Sequence, residues 1–164
     1  MSKTFDVVVV GTGIAGLTAA IYLKEAGLNV AIITKNSDIS EANTNYAQGG
    51  IIAWKNGDSP EKLEKDILNA GCYYNNFEAV KVLAQEGPKL VFEFLIDKVG
   101  IQFSSNSKGE LDYTEEAAHS ERRILHFSDY TGEKIEDSLI AYAAKIGINI
   151  LTNKTAIDLI TNNH

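Results

Sequence analysis

The sequence predicts an α/β fold built on a parallel sheet, and three observations support this prediction. A short apolar run at residues 5–10 leads into a glycine-rich turn at residues 11–16 and then into an apolar pattern of helical spacing. A second β-branched run, residues 29–34, completes a unit of strand, turn, helix and strand. Three further helical patterns lie between residues 59 and 147. We therefore expect a parallel sheet with added helices.

The first strand is predicted from FDVVVV at residues 5–10, which is typical of a central parallel strand covered on both faces. The next helix is predicted from apolar residues at helical spacing between Leu17 and Leu23. It ends where Gly27 can adopt a left-handed conformation. The second strand, NVAIIT at residues 29–34, follows at once.

Two of the added helices have clear start and break signals. One is predicted to begin after Ser59, with Pro60 at the favoured first helical position. The next covers residues 77–100, and we predict a break at Gly87-Pro88 because proline cannot donate a helical hydrogen bond.

The last part of the chain is predicted to form one more helix and a β-hairpin. Apolar residues lie on one helical face from Ile135 to Ile146, and Gly147 ends the pattern. Two short apolar runs, residues 148–151 and 156–160, are the predicted hairpin strands.

Composition limits the classes of partner. The chain has 164 residues, 45% of them hydrophobic, and a net charge of −7, which disfavours binding to nucleic acid or anionic membrane. No apolar run is long enough for a bilayer and no secretory signal pattern is present, so we expect a cytoplasmic protein without a membrane partner. The single cysteine excludes an internal disulfide and a multi-cysteine metal cluster, and we expect no metal.

The turn GTGIAG at residues 11–16 indicates a dinucleotide site. Gly11 permits the tight turn, Gly13 lets backbone approach a pyrophosphate at the helix N-terminus, and Gly16 allows close packing of helix and strand. Because the turn follows a strand and opens a helix, it predicts a Rossmann-like fold. We assign the whole turn to cofactor binding: Gly11, Thr12, Gly13, Ile14, Ala15 and Gly16.

The end of the second strand leaves the dinucleotide open. An Asp or Glu is usual there for the adenosine ribose, but this chain has Thr34-Lys35. That difference argues against a plain NAD site, while a lysine is compatible with NADP.

The polar loop NTNYAQGG at residues 43–50 closely resembles the flavin loop of the succinate dehydrogenase and fumarate reductase superfamily, and the Thr34-Lys35 strand end is also similar. The resemblance implies that FAD is the cofactor. Superfamily members that bind FAD covalently carry a histidine where this chain has Asn43, so noncovalent FAD is expected. The cofactor-binding residues implied are Lys35, Asn43, Thr44, Asn45, Tyr46, Ala47, Gln48, Gly49 and Gly50.

A basic cluster within residues 114–135 resembles the L-aspartate oxidases, in which a glutamate and a histidine precede an Arg-Arg-Ile-Leu-His run and an Asp-x-Thr-Gly. By this resemblance Glu116 contacts the substrate amino group, and His119 contacts the substrate or the flavin side. Arg122 and Arg123 are expected to serve structure, or flavin or substrate-loop contacts.

One departure from that family concerns the turn before His119. The family has Gly-Gly where this chain has Ala117-Ala118. If either position needs a positive φ, alanine there costs roughly 1–2 kcal/mol.

The resemblance implies FAD-dependent oxidation of L-aspartate to iminosuccinate, with hydride transfer from Cα to flavin N5. Oxygen or fumarate is the implied electron acceptor, and quinolinate synthase is a further implied partner on the route to NAD. Residues 1–164 are expected to be the N-terminal part of a truncated FAD-binding domain, without the substrate-capping and C-terminal helical domains and inactive alone. Two alternatives stay open: a soluble fumarate reductase or succinate-oxidising flavoprotein, and a noncatalytic flavin-binding module.

Overall fold

The computed structural model describes residues 4–161, which fold into two compact units. Unit 1 contains residues 4–46 and 133–161, and unit 2 contains residues 47–132. In chain order the elements are β1 (Val7–Val10), α1 (Ile14–Glu25), β2 (Val30–Ile33), β3 (Ile51–Ile52), α2 (Pro60–Ala70), α3 (Phe77–Leu90), a π-helical segment (Val91–Val99), β4 (Tyr113–Thr114), β5 (Ile124–Leu125), α4 (Thr131–Lys145) and β6 (Asn149–Leu151). No helix within residues 4–161 is both long and apolar enough to cross a membrane.

Unit 1 is built on the predicted parallel sheet, with strand order β1-β2-β6. Val9 of β1 lies opposite Ile32 of β2, and Ile32 in turn lies opposite Ile150 of β6. Helix α1 connects the first two strands and buries Leu17 and Ile21 completely. The α/β fold with a parallel sheet is therefore confirmed.

The central strand is β2 rather than β1. Val30, Ala31 and Ile32 are at most 1% exposed, whereas Val8 is 49% and Val10 is 66% exposed. The prediction that the first strand is central and covered on both faces was wrong, because within residues 4–161 β1 pairs with β2 alone and lies at one edge of the sheet. A β-branched run predicts a strand, but it does not predict whether that strand lies at the centre or at the edge of the sheet.

The predicted helix ends are confirmed where a specific residue defines them. The Ser59 hydroxyl accepts a hydrogen bond from the Lys62 N–H and so caps α2, with Pro60 in the first helical position. Gly27 and Gly147 follow α1 and α4 with φ values of +89° and +76°.

Unit 2 contains a second, antiparallel sheet that the sequence analysis did not predict. Strand β5 lies between β3 and β4, and Leu125 lies opposite both Ile51 and Tyr113. Each strand has only two residues, which is too short for an alternating pattern to be recognised in the sequence.

The predicted break at Gly87-Pro88 was wrong. Helix α3 passes through both residues to Leu90, and the π-helical segment then continues to Val99. Pro88 donates no backbone hydrogen bond, but its ring is fully buried, and the resulting apolar contact offsets part of that loss. The change to π-helical spacing comes at Val91, after Lys89 and Leu90 have completed α3.

The predicted C-terminal hairpin was also wrong in its second half. Residues 149–151 form β6, but residues 156–160 form no strand. Ile157, Leu159 and Ile160 are 94%, 84% and 99% exposed, so the described residues give this segment no surface on which to bury its apolar side chains. An alternating pattern needs a partner strand to become a sheet.

Candidate functional site

A cavity of about 540 Å³ lies at the carboxyl end of the parallel sheet in unit 1. Val10 ends β1 there, Ile33 ends β2 and is followed by residues 34–36, and residues 154–156 come after β6. Ligands of parallel α/β sheets bind at this end of the strands. The remaining lining comes from the glycine turn and from residues 41–44 of the polar loop.

The glycine turn forms one wall of this cavity, and the structure explains why Gly11 and Gly16 must be glycine. Gly11 has a φ of +107°, which an L-residue rarely adopts. A Cβ on Gly16 would overlap the Gly11 carbonyl oxygen and would also reach Val9. Gly16 therefore allows α1 to start directly against β1.

Thr44 joins the polar loop to the glycine turn. Its hydroxyl accepts a 3.0 Å hydrogen bond from the N–H of Ile14, the first residue of α1. A Cβ on Gly13 would lie 3.2 Å from the Thr44 oxygen, which is a tight contact. The first turn of α1 has no acidic side chain, so its positive end can offer backbone N–H groups to an anion.

Three charged side chains line the same cavity. Lys35 was predicted from the sequence, whereas Lys154 and Glu41 were not. The two lysines can offset phosphate charge, and the carboxylate of Glu41 can accept hydrogen bonds from ribose hydroxyls. The position of Lys154 just after a parallel strand was the signal that could have revealed it.

The structure brings only part of the predicted polar loop into the cavity lining. Asn43 and Thr44 line it, but residues 45–48 do not. Tyr46 is 62% exposed and its hydroxyl donates to the Glu41 carboxylate at 2.8 Å. The predicted cofactor contacts of Asn45, Tyr46, Ala47 and Gln48 stay predictions.

A buried carboxyl group near Thr44 was missed by sequence reasoning. Glu136 of α4 is fully buried, and neither of its carboxyl oxygens has a hydrogen-bond partner among residues 4–161. The pKa of Glu136 is raised to about 7, chiefly by burial and in smaller part by the charge of Asp137. The Thr44 hydroxyl opposes this rise because it lies near the carboxyl group, although it is not placed to make a hydrogen bond to it.

In unit 2, Glu116 lies against the glycine pair of the polar loop. Its Oε1 atom accepts a 3.0 Å hydrogen bond from the Gly50 N–H, and both carboxylate oxygens face Gly49. A Cβ on Gly50 would overlap Ile124 and the Leu125 carbonyl oxygen. Packing against β5 thus explains the need for glycine at residue 50, independently of any ligand.

The turn at residues 116–119 carries both predicted substrate-contacting residues. The His119 N–H donates to the Glu116 carbonyl oxygen at 3.2 Å, which closes the turn. Ala118 has a φ of +70° at the third turn position, where glycine is preferred. Of the two alanines, Ala118 is therefore the one that has a positive φ.

Arg123, which is fully buried, forms an ion-pair network with two aspartates. Its Nε and Nη2 atoms donate to the two carboxylate oxygens of Asp58 at 2.7 and 2.9 Å, and Nη1 donates to Asp66 at 2.6 Å. Asp66 also accepts the N–H and the hydroxyl of Ser120, both at 2.8 Å. Burial opposes the charge of Asp66, but the bonds from Ser120 and Arg123 together lower its pKa.

Arg122 has a different environment from its neighbour. It is exposed, and its Nε and Nη2 atoms donate to the Tyr113 carbonyl oxygen at 3.0 and 2.8 Å. Both arginines therefore make contacts that hold the structure of unit 2.

Comparisons with known proteins show the family to which the chain belongs. The family described as FAD binding domain matches residues 6–164. L-aspartate oxidase from Oryza sativa subsp. japonica, a chloroplastic protein, is 41% identical over 98% of this chain, and that from Clostridium acetobutylicum is 40% identical over 98%. The chain spans 24% and 36% of their lengths. The open conformation of a flavocytochrome c3 fumarate reductase is similar in structure, with a TM-score of 0.85 and 26% identity over 98% of this chain and 28% of that one. The chain belongs to the FAD-binding domain family.

Proposed function

We propose that this chain is the nucleotide-binding portion of an FAD-dependent L-aspartate oxidase. The observation that carries the proposal is the Glu116 carboxylate, which is held by the Gly50 N–H on an exposed turn of a chain similar to L-aspartate oxidases. Because the chain spans 24% to 36% of the relatives named above, turnover belongs to the proposal for the whole protein.

The cavity of unit 1 fits the dinucleotide part of FAD. The Gly13 backbone and the positive end of α1 suit the pyrophosphate, and Lys35 and Lys154 offset its charge. Glu41 suits ribose hydroxyls. Asn43 lines the cavity without a group that bonds covalently to flavin, so we propose that FAD is held noncovalently.

Bound FAD would supply the hydride acceptor, flavin N5, for the Cα hydride of L-aspartate. We propose that Glu116 binds the substrate ammonium group, because a carboxylate that accepts one backbone N–H keeps further lone pairs for a second donor. This contact favours aspartate over a dicarboxylate without an amino group by roughly 1.5–3 kcal/mol. His119, on the same turn, is proposed to contact a substrate oxygen.

Three further parts of the proposal rest on the resemblance to the family. Oxygen or fumarate is the proposed electron acceptor. Quinolinate synthase is the proposed next enzyme, and the cytoplasm is the proposed location. Cofactor binding does not depend on the electron acceptor, the next enzyme or the location.

Cofactor binding is tested by titrating the 164-residue chain into FAD and following flavin absorbance and fluorescence. We expect saturable binding that Gly13→Val abolishes, because a side chain at that position would meet Thr44. Gly87→Ala is the matched control, since Gly87 does not line the cavity. Absence of binding by the wild-type chain would overturn the proposal.

Because turnover is proposed for the whole protein, substrate class is tested on that protein, loaded with FAD, by spectral titration with L-aspartate and, separately, with succinate. We expect Glu116→Gln to weaken aspartate binding roughly 10-fold and to leave succinate binding equal or stronger, because only aspartate has an ammonium group. Anaerobic bleaching of the flavin by succinate but not by aspartate would favour a fumarate reductase relative. Binding of FAD but of neither ligand would favour a noncatalytic flavin-binding module.

A further inference from the structure

A hydrogen bond from Arg123 determines which ring nitrogen of His119 can carry a proton. Nη1 of Arg123 lies 3.3 Å from Nδ1 of His119. A guanidinium group has only donors, so Nδ1 must provide the lone pair for this bond. A ring nitrogen that accepts a hydrogen bond carries no proton, and the proton of the neutral ring is then on Nε2.

The guanidinium group of Arg123 is held in place through all three of its nitrogen atoms, by two carboxylates. The Asp58 carboxylate accepts hydrogen bonds from Nε and Nη2, and the Asp66 carboxylate accepts one from Nη1. The Arg123 side chain is 0% exposed, and the side chains of Asp58 and Asp66 are 1% and 9% exposed. Because the guanidinium group is planar and rigid, these carboxylates also fix the direction of the second Nη1 hydrogen. That direction is the one in which His119 lies.

We infer that Arg123 is a positioning residue that holds His119 in its Nε2–H tautomer, so that the turn at residues 116–119 presents an N–H donor together with the Glu116 carboxylate. Among residues 4–161 no hydrogen-bond partner contacts Nε2 of His119. The tautomer follows from the contacts within unit 2. Its role toward a substrate rests on the proposed function.

This arrangement suits an amino acid as the ligand. A carboxylate has only acceptors and an ammonium group has only donors, so they require partners of opposite kind. The Nε2–H group can donate to a substrate carboxylate oxygen, while Glu116 accepts from the ammonium group. His119 thus orients the substrate, and its Nδ1 atom is not available as a proton acceptor while Arg123 donates to it.

The tautomer can be measured directly in the chain without FAD or aspartate, so a failure of the proposed function would not affect the result. We would label the histidines with 15N and record long-range 1H–15N correlation spectra of the imidazole rings at neutral to slightly basic pH. His119→Gln identifies the signals of His119 among those of the three histidines, the others being His126 and His164. We expect a protonated Nε2 and an unprotonated Nδ1 for His119.

Two neighbouring arginines provide the variant and its control. Arg123→Lys replaces the rigid fork by a flexible point charge, and we expect the bias of His119 toward one tautomer to be lost. Within residues 4–161 Arg122→Lys removes hydrogen bonds to the Tyr113 carbonyl oxygen only, and we expect an unchanged His119 spectrum. A wild-type spectrum with Nδ1 protonated, or an even mixture of tautomers, would overturn the inference. So would an unchanged tautomer in a folded Arg123→Lys variant, and if that variant does not fold, the wild-type spectrum decides alone.

Discussion

Ala118 has a backbone conformation that glycine adopts at lower cost. With a φ of +70° at the third position of a turn, an L-residue is strained by roughly 1–2 kcal/mol. The surrounding turn, closed by the His119 N–H, keeps this conformation in place.

We expect Ala118→Gly to raise the free energy of unfolding by about 0.5–1 kcal/mol, because relief of strain exceeds the added entropy of the unfolded chain. Urea denaturation measures the change. Ala117→Gly is the matched control: Ala117 is not among the residues with positive φ, so this variant is expected to lose about 0.4–1 kcal/mol. Equal losses in both variants would contradict the assignment of strain to Ala118.

Glu136 gives the stability of the chain a dependence on pH. Its pKa rises from 4.5 in the unfolded chain to about 7 in the fold. Between these values the folded chain binds more protons, so this group makes the fold less stable as pH rises from about 4.5 to about 7.

We expect Glu136→Gln to remove this dependence and to be more stable than the wild type at pH 8, by up to about 3 kcal/mol. At pH 5 the difference should be much smaller, because Glu136 is then protonated in the fold. Glu133→Gln, an exposed change in the first turn of α4, should give the same small effect at both pH values. Denaturation midpoints at pH 5 and pH 8 measure these changes, and a larger gain at pH 5 would contradict the prediction.

At the scale of elements, the start of α1 depends on the close approach of helix and strand at Gly16. We expect Gly16→Ala to cost about 1–3 kcal/mol, because the added Cβ overlaps the Gly11 carbonyl oxygen and the backbone must shift. Flavin affinity should fall as well, since the same turn lines the cavity. Thermal unfolding and FAD titration of the same variant measure the two effects.

Gly87→Ala is the control for that change. Gly87 also lies in a helix, but a Cβ there meets only the flexible end of Leu83, at 3.2 Å. Replacement of glycine inside a helix is favourable by about 0.5–1 kcal/mol, so we expect this variant to be as stable as the wild type or more stable. A similar loss of stability in both variants would show that alanine destabilises these helices in general, and not through the close contact at Gly16.

At the scale of the whole chain, FAD should stabilise the fold by mass action. A ligand that binds only the folded state at 100 times its dissociation constant adds about 2.7 kcal/mol. We expect the melting temperature to rise with FAD concentration. We also expect the backbone amides of residues 14–16 to exchange hydrogen more slowly, because these residues form the first turn of α1 and line the cavity. A melting temperature that is independent of FAD would contradict binding to the fold.

The sequence alone was sufficient wherever a local rule sets the structure. The β-branched runs, the glycine turn and the residues at helix ends each act over a few positions. The strands β1 and β2, the helix α1, the start of α2 and the C-terminal end of α4 could therefore be predicted. The glycine turn indicated a dinucleotide, and the resemblance of the polar loop to a known flavin loop implied FAD, which the FAD-binding domain family confirms.

The tertiary structure decided whatever depends on residues far apart in the chain. The antiparallel sheet of unit 2, the ion pair of Arg123 with Asp58 and the burial of Glu136 involve partners that no local pattern connects. The failed strand at residues 156–160 shows the same principle, because an apolar alternation forms a sheet only when a partner backbone is present. Local patterns therefore determined the class of fold, and a resemblance to a known family indicated the cofactor. Long-range contacts determined which charges are buried and which ring nitrogen of His119 can donate a proton.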